Sequence, residues 1–298
     1  MTSNVVILHE ETGHTSSPLA IDTVATATAA RAGGCEVHGF SSDFDIFGTA
    51  EEALADVPLR ASPTPGVWLG FVPSPDRYRS VYEAAHARGV VLLNDPDEYQ
   101  LTSELDRFYP RLAELTFRTV VIDDVAQWGA AASLGFPLFV KGAVRSARTQ
   151  GWRACVAEDE RELALLVEKL MAMESRSRGR VVVRELARFR HVRVTEHGFP
   201  LGREFRVILH RGDVLGHGYY WEGDDPLMVL SPDEERTVLD LAREGARRVG
   251  APFMTVDVGQ LEDGSWKIVE TGDPQFAGWS QIPRVSVFEN LQRALFRG

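Results

Sequence analysis

The chain is predicted to be an α/β protein that opens with a parallel, doubly wound unit and continues as strand pairs and helices. Two observations predict this. Over the first 95 residues, short apolar runs alternate with stretches of helical period, the pattern of strand–helix–strand crossovers. Beyond that point the strands come in hairpins, and the last of them carries facing acids. The size agrees: 298 residues, 44% hydrophobic and 25% charged, is ordinary globular composition, enough for two domains or three small lobes.

Residues 4–9 (NVVILH) read as a buried strand and 18–32 as an alanine-rich helix closed by Gly33-Gly34. Strands are expected at 35–40, 66–72 and 90–93. A helix over 75–88 has Tyr78, Val81, Tyr82 and Ala85 on one face. Neither GxGxxG nor GxxxxGK[ST] occurs in this lobe, so it has neither common phosphate loop.

Asn94-Asp95-Pro96 marks a boundary. A polar helix is expected over 98–109, ended or kinked by Pro110. Residues 116–123 and 136–141 read as strands, the second ending on Lys141. A loop of small and basic residues spans 142–151 (GAVRSARTQG). Residues 152–156 look extended. A helix over 158–171 has Leu163, Leu166, Val167 and Leu170 on one face, and 175–180 form a charged turn.

Residues 181–186 (VVVREL) form a strand. Residues 204–209 and 214–220 make a hairpin around Arg211-Gly212-Asp213. Ser231-Pro232-Asp233-Glu234 starts a helix: cap, proline at the first position, glutamate three after the cap. Gly250 and Pro252 end it, and a closing helix covers 285–296.

The stretch 253–273, FMTVDVGQLEDGSWKIVETGD, carries the chemistry. Asp263-Gly264 suits a two-residue type I′ turn, which needs positive φ at both positions. That turn pairs Leu261 with Trp266, Gln260 with Lys267, Val258 with Val269, and Asp257 with Glu270. A three-residue loop would instead throw Glu270 to the opposite face. Facing carboxylates repel unless a cation lies between them, and Asp273 could add a third oxygen. Oxygen-only carboxylate clusters suit Mg²⁺ that also holds substrate phosphates.

Composition excludes several classes. The formal net charge of −11 argues against a general binder of nucleic-acid backbone, while leaving room for one basic pocket. Cys35 and Cys155 make neither a disulfide framework nor a zinc pattern. With no signal segment and no apolar run long enough to span a bilayer, a cytoplasmic location away from membranes is expected.

In order, the chain has Lys141 at a strand end, a flexible loop, an apolar strand ending Arg-Glu-Leu, a Glu-x-Arg strand, then Asp257 and Glu270. This order resembles the ATP-grasp superfamily over roughly residues 94–296. The resemblance implies an ATP-grasp fold: a Rossmann-like α/β lobe (1–95), a small α+β lobe (96–180) and a C-terminal α+β lobe with the metal site (181–298). It implies that Lys141 contacts the α- and β-phosphates and that Arg107 stands for the family's earlier lysine. The loop 142–151, with Arg145, Ser146, Arg148 and Thr149, would be the flap over the phosphates. Glu185, Leu186 and Ala187 would pair with adenine through their backbone, and His191 would meet the ribose. Arg206 would meet phosphate or acyl phosphate, oriented by Glu204. Asp257, Glu270 and Asp273 would hold one or two Mg²⁺, with Mn²⁺ an alternative. The family usually shows Glu-x-Asn where this chain has Glu270-Thr271-Gly272-Asp273, and a variant clade shares Glu-x-x-Asp and the arginine for the first lysine.

The activity implied is an ATP-dependent carboxylate–amine ligase acting through an acyl phosphate on a small amino-acid-like substrate. It would join two molecules or cyclise one, in specialised metabolite biosynthesis. Partners would be a small carboxylate and an amine, without nucleic acid or membrane, and the protein would be a monomer or homodimer. Tyr219, Tyr220, Trp221, Gln275, Trp279, Ser280 and Gln281 are candidates for the substrate wall, or for core. The alternatives are a small-molecule kinase on the same fold and a non-catalytic ATP-binding protein.

Overall fold

The computed structural model describes residues 4–11 and 17–296, apart from the side chain of Thr149. The first lobe contains β1 (Val6–Glu11), α1 (Pro18–Ala32), β2 (Glu36–Ser41), β3 (Thr64–Leu69), α2 (Pro75–Ala87) and β4 (Val90–Leu92). The strands form one parallel sheet in the order β2-β1-β3-β4, the doubly wound arrangement expected. Ser17 and Ser74 cap α1 and α2 with their side chains, each followed by proline. Two one-turn helices, Phe44–Phe47 and Ala50–Ala53, were not foreseen; four residues are too few to leave a periodic signature.

The helix expected over 98–109 is two helices, α3 (Pro96–Ser103) and α4 (Leu105–Leu112). The break falls at Glu104, whose backbone is extended, while Pro110 lies inside α4. Glu104 is buried, and its carboxylate accepts from Arg107, Arg178 and Arg180. A carboxylate taken out of water requires such partners, and gathering three arginines sets the backbone there.

A second sheet, antiparallel, has the order β5-β8-β6-β7: β5 (Thr119–Ile122), β6 (Leu138–Gly142), β7 (Val156–Ala157) and β8 (Val181–Glu185). Residues 152–154 form a 3₁₀ turn, where an extended segment was expected. Helix α5 (Glu160–Met171) lays Leu163, Leu166, Val167 and Leu170 on this sheet against Leu138, Val140, Val181 and Val183. A small hairpin, β9 (His191–Val194) and β10 (Pro200–Gly202), follows.

The third sheet is antiparallel in the order β12-β11-β13-β14: β11 (Glu204–His210), β12 (Asp213–Tyr219), β13 (Phe253–Gln260) and β14 (Trp266–Gly272). Helix α6 (Pro232–Val249) has the full capping box at Ser231 and Glu234 and ends on Gly250 in the left-handed region. It buries Val238, Ala242, Ala246 and Val249 against Val207, Val256 and Ile268, and Leu105, Phe108 and Leu112 of α4 join that core. The last helix, α7 (Arg284–Phe296), packs Val287, Phe288 and Leu291 with Val5 and with Ile7, Val67 and Leu69 of the first sheet. Ile208 and Leu215 of the third sheet belong to that same cluster, so one apolar core spans the first and third sheets.

Candidate active site

The site is built on β13 and β14. The loop between them is not a two-residue I′ turn. Gly264 N–H donates to the Leu261 carbonyl (3.0 Å) and Leu261 N–H to the Ser265 carbonyl (2.8 Å), with Gly264 alone at positive φ. This is the three-residue loop, a type I turn closed by a left-handed glycine. It shifts the register by one: Gln260 faces Trp266, Gly259 faces Lys267 and Val258 faces Ile268. By itself that shift would send Glu270 to the far face. A β-bulge restores it. Val269 is the extra residue, after which Asp257 pairs with Glu270. The I′ geometry occurs instead at Arg211-Gly212, both at positive φ, between β11 and β12.

Each facing acid is already paired with a cation. Arg206 stands directly opposite Asp257 and grips it with two bonds, Nε to Oδ1 at 2.8 Å and Nη2 to Oδ2 at 2.7 Å. Asp257 is 1% exposed and Arg206 7%. Lys141 Nζ donates to Glu270 Oε2 at 2.8 Å. Burial works against the Arg206 charge, but Asp257 outweighs it and moves the guanidinium pKa upward. Burial by itself would raise the Glu270 carboxyl; Lys141 and Arg148 reverse this and hold it down to about 2. Asp257, not Glu204, therefore orients Arg206. Glu204 faces the site two residues before Arg206, with Arg148 Nη1 4.0 Å away. Burial pushes its carboxyl up to about 7, opposed by Arg148. Arg148 donates to the Tyr220 hydroxyl (2.6 Å) and lies over the rings of Tyr220 and Trp221. Lys141, Arg148 and Arg206 thus balance Glu204, Asp257 and Glu270.

Two cavities meet at this cluster, and Lys141 and Glu270 line both. The larger, about 550 Å³, runs between the second and third sheets. One part is apolar, with Phe117, Phe139, Phe189 and Val269; Ser146, Arg148, His191 and Glu204 line the rest. Glu185, Leu186 and Ala187 form part of the wall. Among the described residues, the backbone of Leu186 and Ala187 has no hydrogen-bond partner, leaving donors and acceptors for an adenine edge. Arg184 also lines this cavity. Its Nη groups bind the Val269 carbonyl (2.8 Å) and Thr116 Oγ1 (2.5 Å), and its buried Nε has no partner. Burial depresses it to about 10. An aromatic slot, a free backbone hinge, an orphaned guanidinium nitrogen and a cationic end fit a nucleoside triphosphate.

The smaller cavity, about 210 Å³, is lined by Arg145, Arg206, Tyr220 and Asp273 besides Lys141 and Glu270. Asp257 and Glu270 lie on one face and carry the oxygen ligands that suit Mg²⁺ completed by phosphates. Both Asp257 oxygens are held by Arg206, however, and of the two acids only Glu270 lines a cavity, so a metal would bind both only once the Arg206 pair opens. Asp273 does not join them as the expected third ligand. It accepts from Asn94 Nδ2 (2.8 Å), Gln275 N (3.0 Å) and Gln275 Nε2 (3.2 Å), and burial raises it to about 6. Among the described residues, no three His, Cys, Asp or Glu side chains come together to hold a metal ion.

Most other expected site residues converge. Lys141, Ser146, Arg148, Glu185, Leu186, Ala187, His191, Glu204 and Glu270 share the larger cavity. Arg107 does not: it lines neither cavity, pairs with Glu104 and is 45% exposed. Of the candidate substrate wall, only Tyr220 lines the smaller cavity. Strand alternation turns Tyr219 into the core, where its hydroxyl meets Asp225 (2.9 Å). Trp279 stacks on Phe288, and Gln275 ties Trp68 and Tyr78 of the first lobe. Sequence reading missed Arg184 and Asn94. A lone arginine in VVVRE and an asparagine ending an apolar strand were the available signals.

This fold and this constellation define an ATP-grasp protein. Residues 127–295, more than half of the chain, match a family described as an ATP-grasp domain, clade family 3, and the chain belongs to it. Similar solved structures include the D-alanyl-alanine synthetase A of Vibrio cholerae O1 biovar eltor str. N16961 (TM-score 0.64, 12% identity, covering 100% of this chain and 98% of that one). D-cycloserine synthetase DcsG (0.61, 15%, 98% and 100%) and ATP-grasp ligase PsnB complexed with minimal precursor (0.55, 15%, 100% and 99%) are others. At these identities the likeness establishes the fold. No curated protein matches the chain.

Proposed function

We propose that the protein is an ATP-dependent ligase that activates a small amino-acid-like carboxylate as an acyl phosphate and passes it to an amine, within one molecule or between two. The observation that carries this reading is the meeting of two cavities at Lys141 and Glu270. The larger suits ATP. The smaller suits the acid whose oxygen attacks the γ-phosphorus. The reacting atoms would then meet beside Lys141.

Phe117, Phe189 and the 186–187 backbone bind the base, and His191 lies on the ribose side. Lys141 and Arg148 offset phosphate charge, and Arg206 steadies the carboxylate in the smaller cavity. Positioning and cations do most of the work in phosphoryl transfer. Glu270, and Asp257 once Arg206 lets go of it, would hold Mg²⁺, which would supply further charge neutralisation. Arg148, folded over Tyr220 and Trp221, carries the 142–151 loop across the junction, where it excludes water from the acyl phosphate. The names of the similar D-alanyl-alanine and D-cycloserine synthetases support amide formation.

The test is an ADP-release screen across amino acids, singly and in pairs, with Mg²⁺ and hydroxylamine. The ligase reading expects ADP together with a hydroxamate. ADP without hydroxamate would favour a kinase, and no ADP with any substrate would favour a non-catalytic nucleotide binder.

A further inference from the structure

The smaller cavity, about 210 Å³, has room for a single amino-acid-sized molecule, roughly seven waters' share of the liquid at about 30 Å³ each. Its wall is apolar at Val72, Leu105, Phe108, Val144 and Phe276. Three cations line it, and two are neutralised: Lys141 by Glu270, and Arg206 by Asp257. Arg145, on the loop after β6, is different. Among the described residues its guanidinium has neither an ion pair nor a hydrogen bond, and the charges of Arg176 and Arg178 bear on it. Nor do the cavity's acids answer it. Glu270 belongs to Lys141, and Asp273 is held by Asn94 and Gln275. Arg145 is exposed, so the wall keeps one planar cation answered by water and by no acid of the protein, with five donors, a group that matches a carboxylate two-prongedly.

We propose that Arg145 reads a second carboxylate of the substrate, so that the acid seated at the Lys141–Glu270 junction is a compact dicarboxylate such as an acidic amino acid. The fate of the first carboxylate rests on the ligase reading; the binding of the second does not. This moves Arg145 from the phosphates, where the family resemblance puts it, to substrate specificity.

The experiment is calorimetric titration of glutamate, aspartate, succinate and alanine into the protein saturated with Mg²⁺ and a non-hydrolysable ATP analogue. A blocked tripeptide with one internal glutamate, hence a single carboxylate, completes the set. The dicarboxylates are expected to bind about tenfold or more tightly than alanine or the tripeptide, the scale of one charge-assisted bond. Arg145→Met should erase the preference without changing analogue affinity, and Arg145→Lys should keep part of it, both variants melting like the parent. Equal binding of alanine and glutamate would overturn the proposal. So would equal binding of the tripeptide, loss of analogue affinity in Arg145→Met, or no binding by any acid of the set. Dicarboxylate binding without ADP release would sustain this inference and count against the ligase; ADP release with alanine alone would do the reverse.

Discussion

Replacing Asp257 by Asn tests the centre of the site most directly. The change keeps shape but removes the charge that holds Arg206. Oδ1 can still accept from Nε, while the new amide NH₂ meets the donor Nη2, where Oδ2 now accepts at 2.7 Å. Arg206 is buried and keeps that Nε bond and the one to the Gly278 carbonyl, but no countercharge. Breaking a buried ion pair from one side costs about 3–5 kcal/mol, most of it the unpaired charge. Taking about 3 kcal/mol and a urea slope of about 3 kcal/mol/M, the midpoint should fall by about 1 M. Adding Arg206→Met removes the stranded charge and should return much of that loss, so the double variant is more stable than the sum of the single changes. Urea unfolding followed by tryptophan fluorescence measures all four proteins. A fall of less than about 0.3 M in Asp257→Asn, well under the value this slope gives, or strict additivity in the double variant, would refute the claim that this pair is closed in the ligand-free protein.

Three other outcomes are expected. Glu204→Gln bears on pH: burial raises the folded carboxyl to about 7, so the native state binds more protons than the unfolded one and its stability falls as pH rises from about 4.5 through 7. The glutamine variant should lose that slope in melts across the range. Asn94→Ala removes bonds to Asp273 and to the Phe253 carbonyl and N–H and should cost a few kcal/mol, since each buried group left unpaired costs about 1–3 kcal/mol; thermal unfolding reads it, and an unchanged midpoint would deny that this seam stabilises the fold. Lys141→Met should weaken ATP-analogue binding by about tenfold or more, the worth of a charged bond, with Glu270 left unpaired at the junction, as fluorescence titration would show.

Much of this was legible in the sequence because it is local. Ser231 announces its helix by cap chemistry, α5 and α6 show their buried stripes, and the alternation of the first lobe fixes its parallel sheet. Lys141, Glu204, Asp257 and Glu270 could be assigned to one place through the order they share with the ATP-grasp superfamily, not through period alone. Other features were not legible. Nothing at Val269 marks a bulge, yet without it the three-residue loop would have turned Glu270 away from Asp257. Glu104 breaks a helix through arginines more than seventy residues distant.

Propensity, capping and hydrophobic period act between near neighbours, so the elements, the fold family and the roster of charged groups could be read from the chain alone. Which charge meets which was settled in three dimensions. The fold gave Asp257 to Arg206, Glu270 to Lys141 and Asp273 to Asn94, and left Arg145 without a partner among the described residues. Burial makes an unpaired charge costly, so the pairing depends on which groups the three sheets bring together out of water, a property of the assembled fold and not of any single segment.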